Sequence, residues 1–122
     1  MPTSPPVTTP ALPPPVHAPL PTIDSADMHV HAADAAALLR SMANEQRLLV
    51  LCHLVEGELA VGALHARMAL SQSALSQHLA VLRAAGLVQA RRAGQQVFYS
   101  LAPGPGRQVM ETLHAVYCAE PA

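Results

Sequence analysis

The chain has no lysine and no tryptophan, and its 122 residues include one phenylalanine and two tyrosines. Every fixed positive side chain is therefore an arginine, a residue suited to planar, bidentate contacts with carboxylates and phosphates. Long apolar runs are also missing, since no stretch approaches the roughly 18 residues that cross a bilayer. Because 51% of the residues are hydrophobic and 12% are charged, a wholly disordered chain is excluded. We expect a soluble, folded protein with no membrane partner.

Acidic residues are absent between Leu59 and Val109, the segment that holds five of the seven arginines. The formal net charge of the chain is -1, so basic residues are segregated rather than in excess. Such a segment indicates either a polyanion partner at that surface or a solvated basic face without a partner.

Proline is absent from Thr22 to Ala102, whereas nine of the twelve prolines lie in the first 21 residues. Because proline donates no backbone hydrogen bond, residues 1–24 are predicted to form a disordered, proline-rich tail. Residues 25–120 are then one folded domain. The tail lacks the basic start and apolar centre of a signal peptide, which predicts a cytoplasmic location.

The proline-free segment begins with helical periodicity. A first helix is predicted to run through Met42, and Asn44 caps a second, EQRLLVLCHLVE, that ends at Gly57. A short helix, VGALHARM, follows. Ser71 then caps QSALSQHLAVLRAA, which ends at Gly86. Two short helices joined by a tight connection form a helix-turn-helix.

After Gly86 the apolar period changes to two, which predicts a β-hairpin. Its strands are LVQARR and QQVFYSL, joined at Ala93-Gly94. The predicted inward set is Val88, Val97 and Tyr99.

A last helix is predicted from Arg107 to Cys118, apolar over a wide arc. One monomer core does not require so wide an apolar surface, so we expect this helix to form the interface of a homodimer. The predicted interface residues are Val109, Leu113, Val116 and Tyr117.

This order of elements predicts a mainly α fold with a small β-hairpin, a dimeric winged helix-turn-helix. In such a fold the second helix of the motif enters the major groove by its first turns. The predicted base-reading residues are Gln72, Ser73, Ser76 and Gln77, whose side chains can hydrogen-bond to base edges. The predicted contacts to the DNA backbone or minor groove are Arg67, Arg83, Arg91 and Arg92. The predicted partner is double-stranded operator DNA.

The run from Ala37 to Leu101 resembles the ArsR/SmtB family of bacterial winged-helix repressors. The stretch LLRSMANEQRLLVLCHL matches its first block, and LSQSALSQHLAVLRAAGLVQARRAGQQVFYSL matches its DNA-binding helix and wing. The resemblance implies a homodimer that binds a pseudo-palindromic operator and leaves it when an inducer arrives.

The residues that form the metal sites of that family are not present in this sequence. Many members sense metals through ELCVCDL, where this chain has ELAVGAL, with Ala and Gly in place of the thiolates. A second family site takes two pairs of ligands from the last helix, which here supplies only Glu111 and His114. Four tetrahedral ligands are hard to assemble from these residues, so we expect no metal and no cofactor.

Cys52 and Cys118 are the only cysteines, and their separation excludes a local CxxC motif. A buried lone cysteine is most often a small hydrophobe. Within the family, however, the chain resembles the BigR and SqrR subgroup of sulfide- and persulfide-responsive repressors, whose cysteines lie at these two positions. The resemblance implies that reactive sulfur species or an oxidant join the two thiols by a disulfide or polysulfide bridge and thereby lower DNA affinity.

Other functions stay open at this point. One is a metal-sensing repressor that uses Cys52, Cys118 and some histidines, and another is a winged-helix module for protein contact. A thiol enzyme such as a small sulfurtransferase would need a phosphate loop, a cysteine at a clear turn or helix start, or a carboxylate–histidine pair. The sequence offers none of these, so we predict that the protein is not an enzyme.

Overall fold

The computed structural model describes residues 25–118. The predicted tail, residues 1–24, and the last two residues of the predicted domain, 119–120, lie outside the described residues. The chain divides into a unit that ends at Ala33 and a unit that begins at Asp34. The first unit contributes the opening turns of one helix, and the second holds all other described elements. Within residues 25–118, no helix is both long enough and apolar enough to cross a membrane.

Five helices and three strands make up the described fold. In chain order they are α1 (Ser25–Met42), α2 (Glu45–Val55), β1 (Leu59–Ala60), α3 (Val61–Ala66), α4 (Gln72–Ala84), β2 (Val88–Ala93), β3 (Gln96–Leu101) and α5 (Pro105–Tyr117). Helices α3 and α4 are the helix-turn-helix, and β2 and β3 are the wing. The predicted order of helices and hairpin is confirmed.

Two helices begin at the capping residues predicted from the sequence. The Asn44 side chain accepts a hydrogen bond from the Arg47 backbone N–H at 3.0 Å, and Ser71 accepts one from the Ala74 N–H at 3.1 Å. Such caps pair N–H groups that the first helical turn leaves without partners, and each contributes about 1 kcal/mol. The two caps determine where α2 and α4 begin. The starting points in turn determine which face of α2 carries Cys52 and which face of α4 carries its polar residues.

The sheet has three antiparallel strands in the order β1-β3-β2. The sequence predicts only the hairpin, because the two residues of β1 are too few to show a period of two. Leu59 and Ala60 pair with Tyr99 and Phe98. Strand β1 therefore ties the start of the helix-turn-helix to the wing.

The wing loop lies one residue further along the chain than predicted. Ala93 pairs with Gln96, so the two loop residues are Gly94 and Gln95 rather than Ala93 and Gly94. Gly94 has a φ of +63°, as the first loop residue of a type II′ turn requires. The strand register places the predicted inward set on one face: Val88, Val97 and Tyr99.

The core lies mainly between α2, α4, the start of β2 and the middle of α5. Thirteen hydrophobic residues are buried, and no described residue contributes a buried polar or charged side chain. Leu75, Leu79 and Leu82 supply the buried face of α4. Because burying a leucine contributes roughly 1.5–3 kcal/mol, these residues hold α4 in one rotation about its axis. The polar residues of α4 therefore face outward.

Helix α5 packs tightly at its beginning. Gly106 lies so close to Leu87 that a Cβ at this position would overlap the leucine side chain, and Met110, one turn later, is buried. These contacts fix the direction in which α5 leaves the core. They thereby place the end of the helix beside α2.

Candidate functional site

The two cysteines come together where α5 ends against α2. The Sγ atoms of Cys52 and Cys118 are 3.7 Å apart, and both thiols are free. A disulfide has an S–S distance of about 2.05 Å, so bridging requires the sulfurs to approach by about 1.7 Å. The structure thus brings together the two residues that the sequence singles out.

The two thiols have different surroundings. Cys52 is half-buried on α2, whereas Cys118 is exposed at the C-cap of α5. Burial raises the pKa of Cys52, and its hydrogen bond and charge interaction with Cys118, together with the charge of Glu56, raise this pKa further. Since the thiolate is the reactive form, the raised pKa leaves Cys52 less reactive than an ordinary cysteine. Cys118 is the thiol that an external reagent meets first.

A cleft of about 240 Å³ opens beside the two sulfurs. Its walls are mostly apolar, with Glu45 and His114 as the polar exceptions. The apolar residues that line it are Leu48, Leu49, Met110, Leu113 and Tyr117. The cleft has room for a small molecule next to the thiols.

His114 joins the cysteine pair. One potential ligand atom from each of Cys52, His114 and Cys118 lies within 4.8 Å of the other two. The sequence predicts no metal-ligand set and places His114 beside Glu111, whereas the Glu111 carboxylate accepts a hydrogen bond from Arg107 Nε at 3.2 Å. The expectation of no metal stays a prediction, and the cluster matches the alternative that the sequence left open, a metal-sensing repressor that uses Cys52, Cys118 and some histidines. The missed signal is the spacing of four between His114 and Cys118, which puts both on one face of a helix.

The predicted base-reading residues occupy one exposed surface at the start of α4. Gln72, Ser73, Ser76 and Gln77 are all exposed. The Ser73 hydroxyl lies 3.4 Å from the hydroxyl of the capping Ser71. The backbone N–H groups at this end of α4 add positive partial charge. The surface can therefore receive a polar, negatively charged partner.

The four predicted basic contacts do not form one patch. The register of β2 places Arg91 and Arg92 on opposite faces of the wing. Arg92 and Arg83 line one cleft together with Tyr99. Arg67 is exposed at the C-cap of α3.

Arg91 is engaged within the chain. Its Nε and Nη2 donate to the two carboxylate oxygens of Glu58 at 3.1 and 2.6 Å, and its guanidinium carbon lies 4.7 Å from the centre of the Phe98 ring. The ion pair lowers the pKa of Glu58, with the hydrogen bond from Arg91 as the main cause. The sequence does not reveal this pair, because only strand β1 brings Glu58 to the wing. A phosphate would have to compete with Glu58 for Arg91.

The predicted dimer residues lie on an uncovered apolar face. Val116 and Tyr117 are 68% and 80% exposed. Val109 and Leu113 are half-buried and line a shallow cleft with Leu39 of α1, which is itself 54% exposed. The apolar surface thus extends from α5 onto the end of α1.

The fold and the polar face of α4 define a winged helix-turn-helix protein. Residues 44–90 match the model of the family described as bacterial regulatory proteins of the arsR family. The transcriptional activator HlyU of Vibrio cholerae is 51% identical over 92 residues, which make up 75% of this chain and 85% of HlyU. The chain belongs to the ArsR family of transcription regulators.

Solved structures confirm the fold. Reduced HlyU from Vibrio cholerae has a TM-score of 0.72 at 51% identity, with 75% of this chain and 97% of that chain covered. The transcriptional repressor BigR from Xylella fastidiosa has a TM-score of 0.73 at 37% identity, with 81% and 98% covered. A more distant neighbour, a winged helix-turn-helix domain from Mycobacterium bovis, is homodimeric and has a TM-score of 0.65 at 27% identity, with 78% and 88% covered. HlyU and BigR are transcription regulators, and BigR supports the predicted subgroup.

Proposed function

We propose that the protein is a homodimeric repressor that binds double-stranded operator DNA and releases it when Cys52 and Cys118 are bridged. The inducer is a reactive sulfur species or an oxidant. The observation that carries this proposal is the 3.7 Å distance between the two Sγ atoms, because the two cysteines are the only ones in the chain and lie on different helices.

The bridging chemistry starts at Cys118. Its thiolate attacks the outer sulfur of a persulfide, RSSH, which gives a Cys118 persulfide and releases the thiol RSH. The Cys52 thiolate then attacks Sγ of Cys118 and expels hydrosulfide, so that a disulfide forms. With a peroxide, Cys118 becomes a sulfenic acid, and attack by Cys52 releases water.

A bridge with one additional sulfur fits the reduced geometry more closely. When both cysteines carry persulfides, the terminal sulfur of one attacks Sγ of the other and expels hydrosulfide, which leaves a trisulfide. Its two outer sulfurs lie about 3.3 Å apart, given S–S bonds of about 2.05 Å. The sulfurs then need to approach by about 0.4 Å rather than 1.7 Å from their 3.7 Å separation. We therefore propose a trisulfide as the product when excess persulfide modifies both cysteines, and the disulfide when only Cys118 is modified.

The bridge acts on DNA through the two helices that it joins. Helix α2 supplies Val50, Leu51 and Leu54 to the core that also holds α4, while α5 carries the proposed dimer face. A covalent tie between α2 and α5 shifts α4 relative to the subunit interface. In a dimer, two recognition helices must lie about 34–36 Å apart to enter successive major grooves, so a small rotation of one subunit against the other lowers affinity.

Intact mass spectrometry tests the bridging chemistry. Reduced protein is treated with glutathione persulfide, and free thiols are then trapped with iodoacetamide. We expect a product that has gained sulfur, has lost two hydrogens and carries no alkyl group. A product in which one cysteine is still alkylated after complete reaction would rule out an intramolecular bridge.

A further inference from the structure

We infer that the reduced pair Cys52 and Cys118, together with His114, is a binding site for a thiophilic divalent cation of the Zn²⁺ type. Bound metal and the sulfur bridge exclude each other, because both use the same two sulfurs. The consequence for DNA binding rests on the proposed function, whereas metal binding itself does not. The inference rests on one observation: the two cysteine sulfurs and a ring nitrogen of His114 all lie within 4.8 Å of one another.

The sulfur spacing fits a shared cation. In a tetrahedral zinc site with Zn–S bonds of about 2.3 Å, two thiolates lie about 3.8 Å apart. The observed Sγ–Sγ distance is 3.7 Å. The two sulfurs therefore need almost no movement to bind one metal ion.

The imidazole is held on the same side of α5 as one of the sulfurs. Residues four apart are neighbours on a helix surface, and the Cys118 backbone N–H donates to the His114 carbonyl at 2.8 Å, so the helical turn between them is intact. A ring nitrogen of His114 lies within 4.8 Å of both sulfurs. A side-chain adjustment of about 1 Å brings it to the S–N spacing of a tetrahedral site.

The donor set selects the class of cation. Two thiolates and one imidazole favour zinc and its analogues and disfavour magnesium and calcium, which prefer oxygen ligands. Binding releases one proton from each thiol, so that two thiolates neutralise the dication within the mostly apolar cleft. Three protein ligands leave a fourth position that a water molecule can fill at the exposed side of Cys118.

Metal binding would protect the thiols. A sulfur that donates its electron pair to zinc is a weaker nucleophile toward persulfide, and a bridged sulfur is no longer a thiolate ligand. Zinc availability would thus set the rate at which the repressor responds to reactive sulfur.

Cobalt provides a direct test, because Co²⁺ bound to thiolates shows charge-transfer absorption and intense visible bands when it is four-coordinate. The reduced full-length protein is titrated with Co²⁺ and then with Zn²⁺ as competitor. We expect one metal ion per chain, displaced by Zn²⁺. Each of Cys52→Ser and Cys118→Ser should lose about half of the charge-transfer absorption and bind roughly 100-fold more weakly.

The histidine ligand is tested with a matched control. His114→Ala should weaken metal binding by a factor of at least about ten while both thiolate bands persist. His53→Ala removes a half-buried imidazole that follows Cys52 in sequence but lies outside the three-ligand cluster, so its affinity should equal that of wild type. Equal effects of the two histidine substitutions, or full binding by the double cysteine variant, would overturn the inference.

The rate of bridging separates this inference from the proposed function. One equivalent of Zn²⁺ should slow the bridging of wild-type protein by persulfide at least about tenfold. If bridging releases DNA but Co²⁺ does not bind, the metal site fails and the switch stands. If Co²⁺ binds as described but the bridged protein stays on DNA, the switch fails and the metal site stands.

Discussion

The two cysteines play unequal parts in the proposed switch, and their surroundings explain why. Cys118 is exposed at a helix end and Cys52 is half-buried beside it, with its pKa raised mainly by burial. A raised thiol pKa means a smaller thiolate fraction at neutral pH and a reactivity that still increases as the pH rises through that pKa. The exposure of Cys118 and the raised pKa of Cys52 therefore both leave Cys52 as the slower thiol.

Alkylation rates should reveal this order. In limiting iodoacetamide at neutral pH, we expect Cys118 to be modified before Cys52, as measured by peptide mass mapping at successive times. Cys118→Ser and Cys52→Ser isolate each thiol and give its rate without the neighbour. Faster alkylation of Cys52 than of Cys118 in wild-type protein would contradict the proposed order of attack.

Gln77 and Arg92 should affect DNA binding in different ways. Gln77→Ala should cost about 1–3 kcal/mol mainly on the preferred sequence, because Gln77 is proposed to read a base. Arg92→Ala should weaken binding to all sequences and lower the dependence of log affinity on log salt by about one, because it removes one phosphate contact. Binding is measured on a fragment that reduced protein selects from a random pool and on a scrambled fragment. Equal losses on both fragments for Gln77→Ala would remove it from the base-reading set.

Local signals in the sequence predict where helices begin and which face of α4 is buried. Asn44 and Ser71 mark helix starts because capping is a local interaction, and the leucines of α4 mark its buried face by their spacing. Strand β1 is too short to have a period, and the pairing of Glu58 with Arg91 depends on it. The spacing of His114 and Cys118 is visible in the sequence, whereas the addition of Cys52 to the same cluster depends on the tertiary contact between α2 and the end of α5.

The wing carries a prediction that follows from Glu58. Glu58→Gln removes the negative charge and one of the two acceptor oxygens that hold Arg91, and it should strengthen binding to any DNA by about two- to fivefold. Glu56→Gln is the control, because it removes the same charge two residues earlier but leaves the pair of Arg91 and Glu58 intact. A gain in DNA binding that is seen only with Glu58→Gln is therefore due to release of Arg91 and not to the change in net charge. Fluorescence anisotropy with a short duplex measures both. Weaker binding by Glu58→Gln would mean that the ion pair positions Arg91 for DNA rather than withholding it.

For the whole molecule, the exposed apolar surface of α5 and the end of α1 is the part that one chain leaves uncovered. Val116→Glu places a charge on this surface at a position that is 68% exposed, so the fold of the monomer should tolerate it. In the dimer, the partner subunit would bury this charge without an opposite charge beside it, which is strongly destabilising. We therefore expect light scattering to show a monomer, and we expect weaker DNA binding.

Ala115→Glu is the matched control for the dimer. Ala115 is exposed and neighbours Val116 in sequence, but consecutive helical residues point about 100° apart, which directs it away from the apolar surface. This variant should stay dimeric. A dimer that survives Val116→Glu, with an unchanged unfolding temperature, would place the interface elsewhere.

In the proposed switch, a bridge between Cys52 and Cys118 releases the repressor from DNA. Operator binding before and after treatment with persulfide tests this step. Wild-type protein should lose affinity on treatment and regain it on reduction with dithiothreitol. Cys52→Ser and Cys118→Ser should each bind as the reduced protein does and keep that affinity after treatment. Cys52→Ala is run beside Cys52→Ser, because an unsatisfied hydroxyl at this half-buried position can cost about 1–3 kcal/mol. Normal release by either single-cysteine protein would show that one modified thiol is sufficient and that no bridge is required.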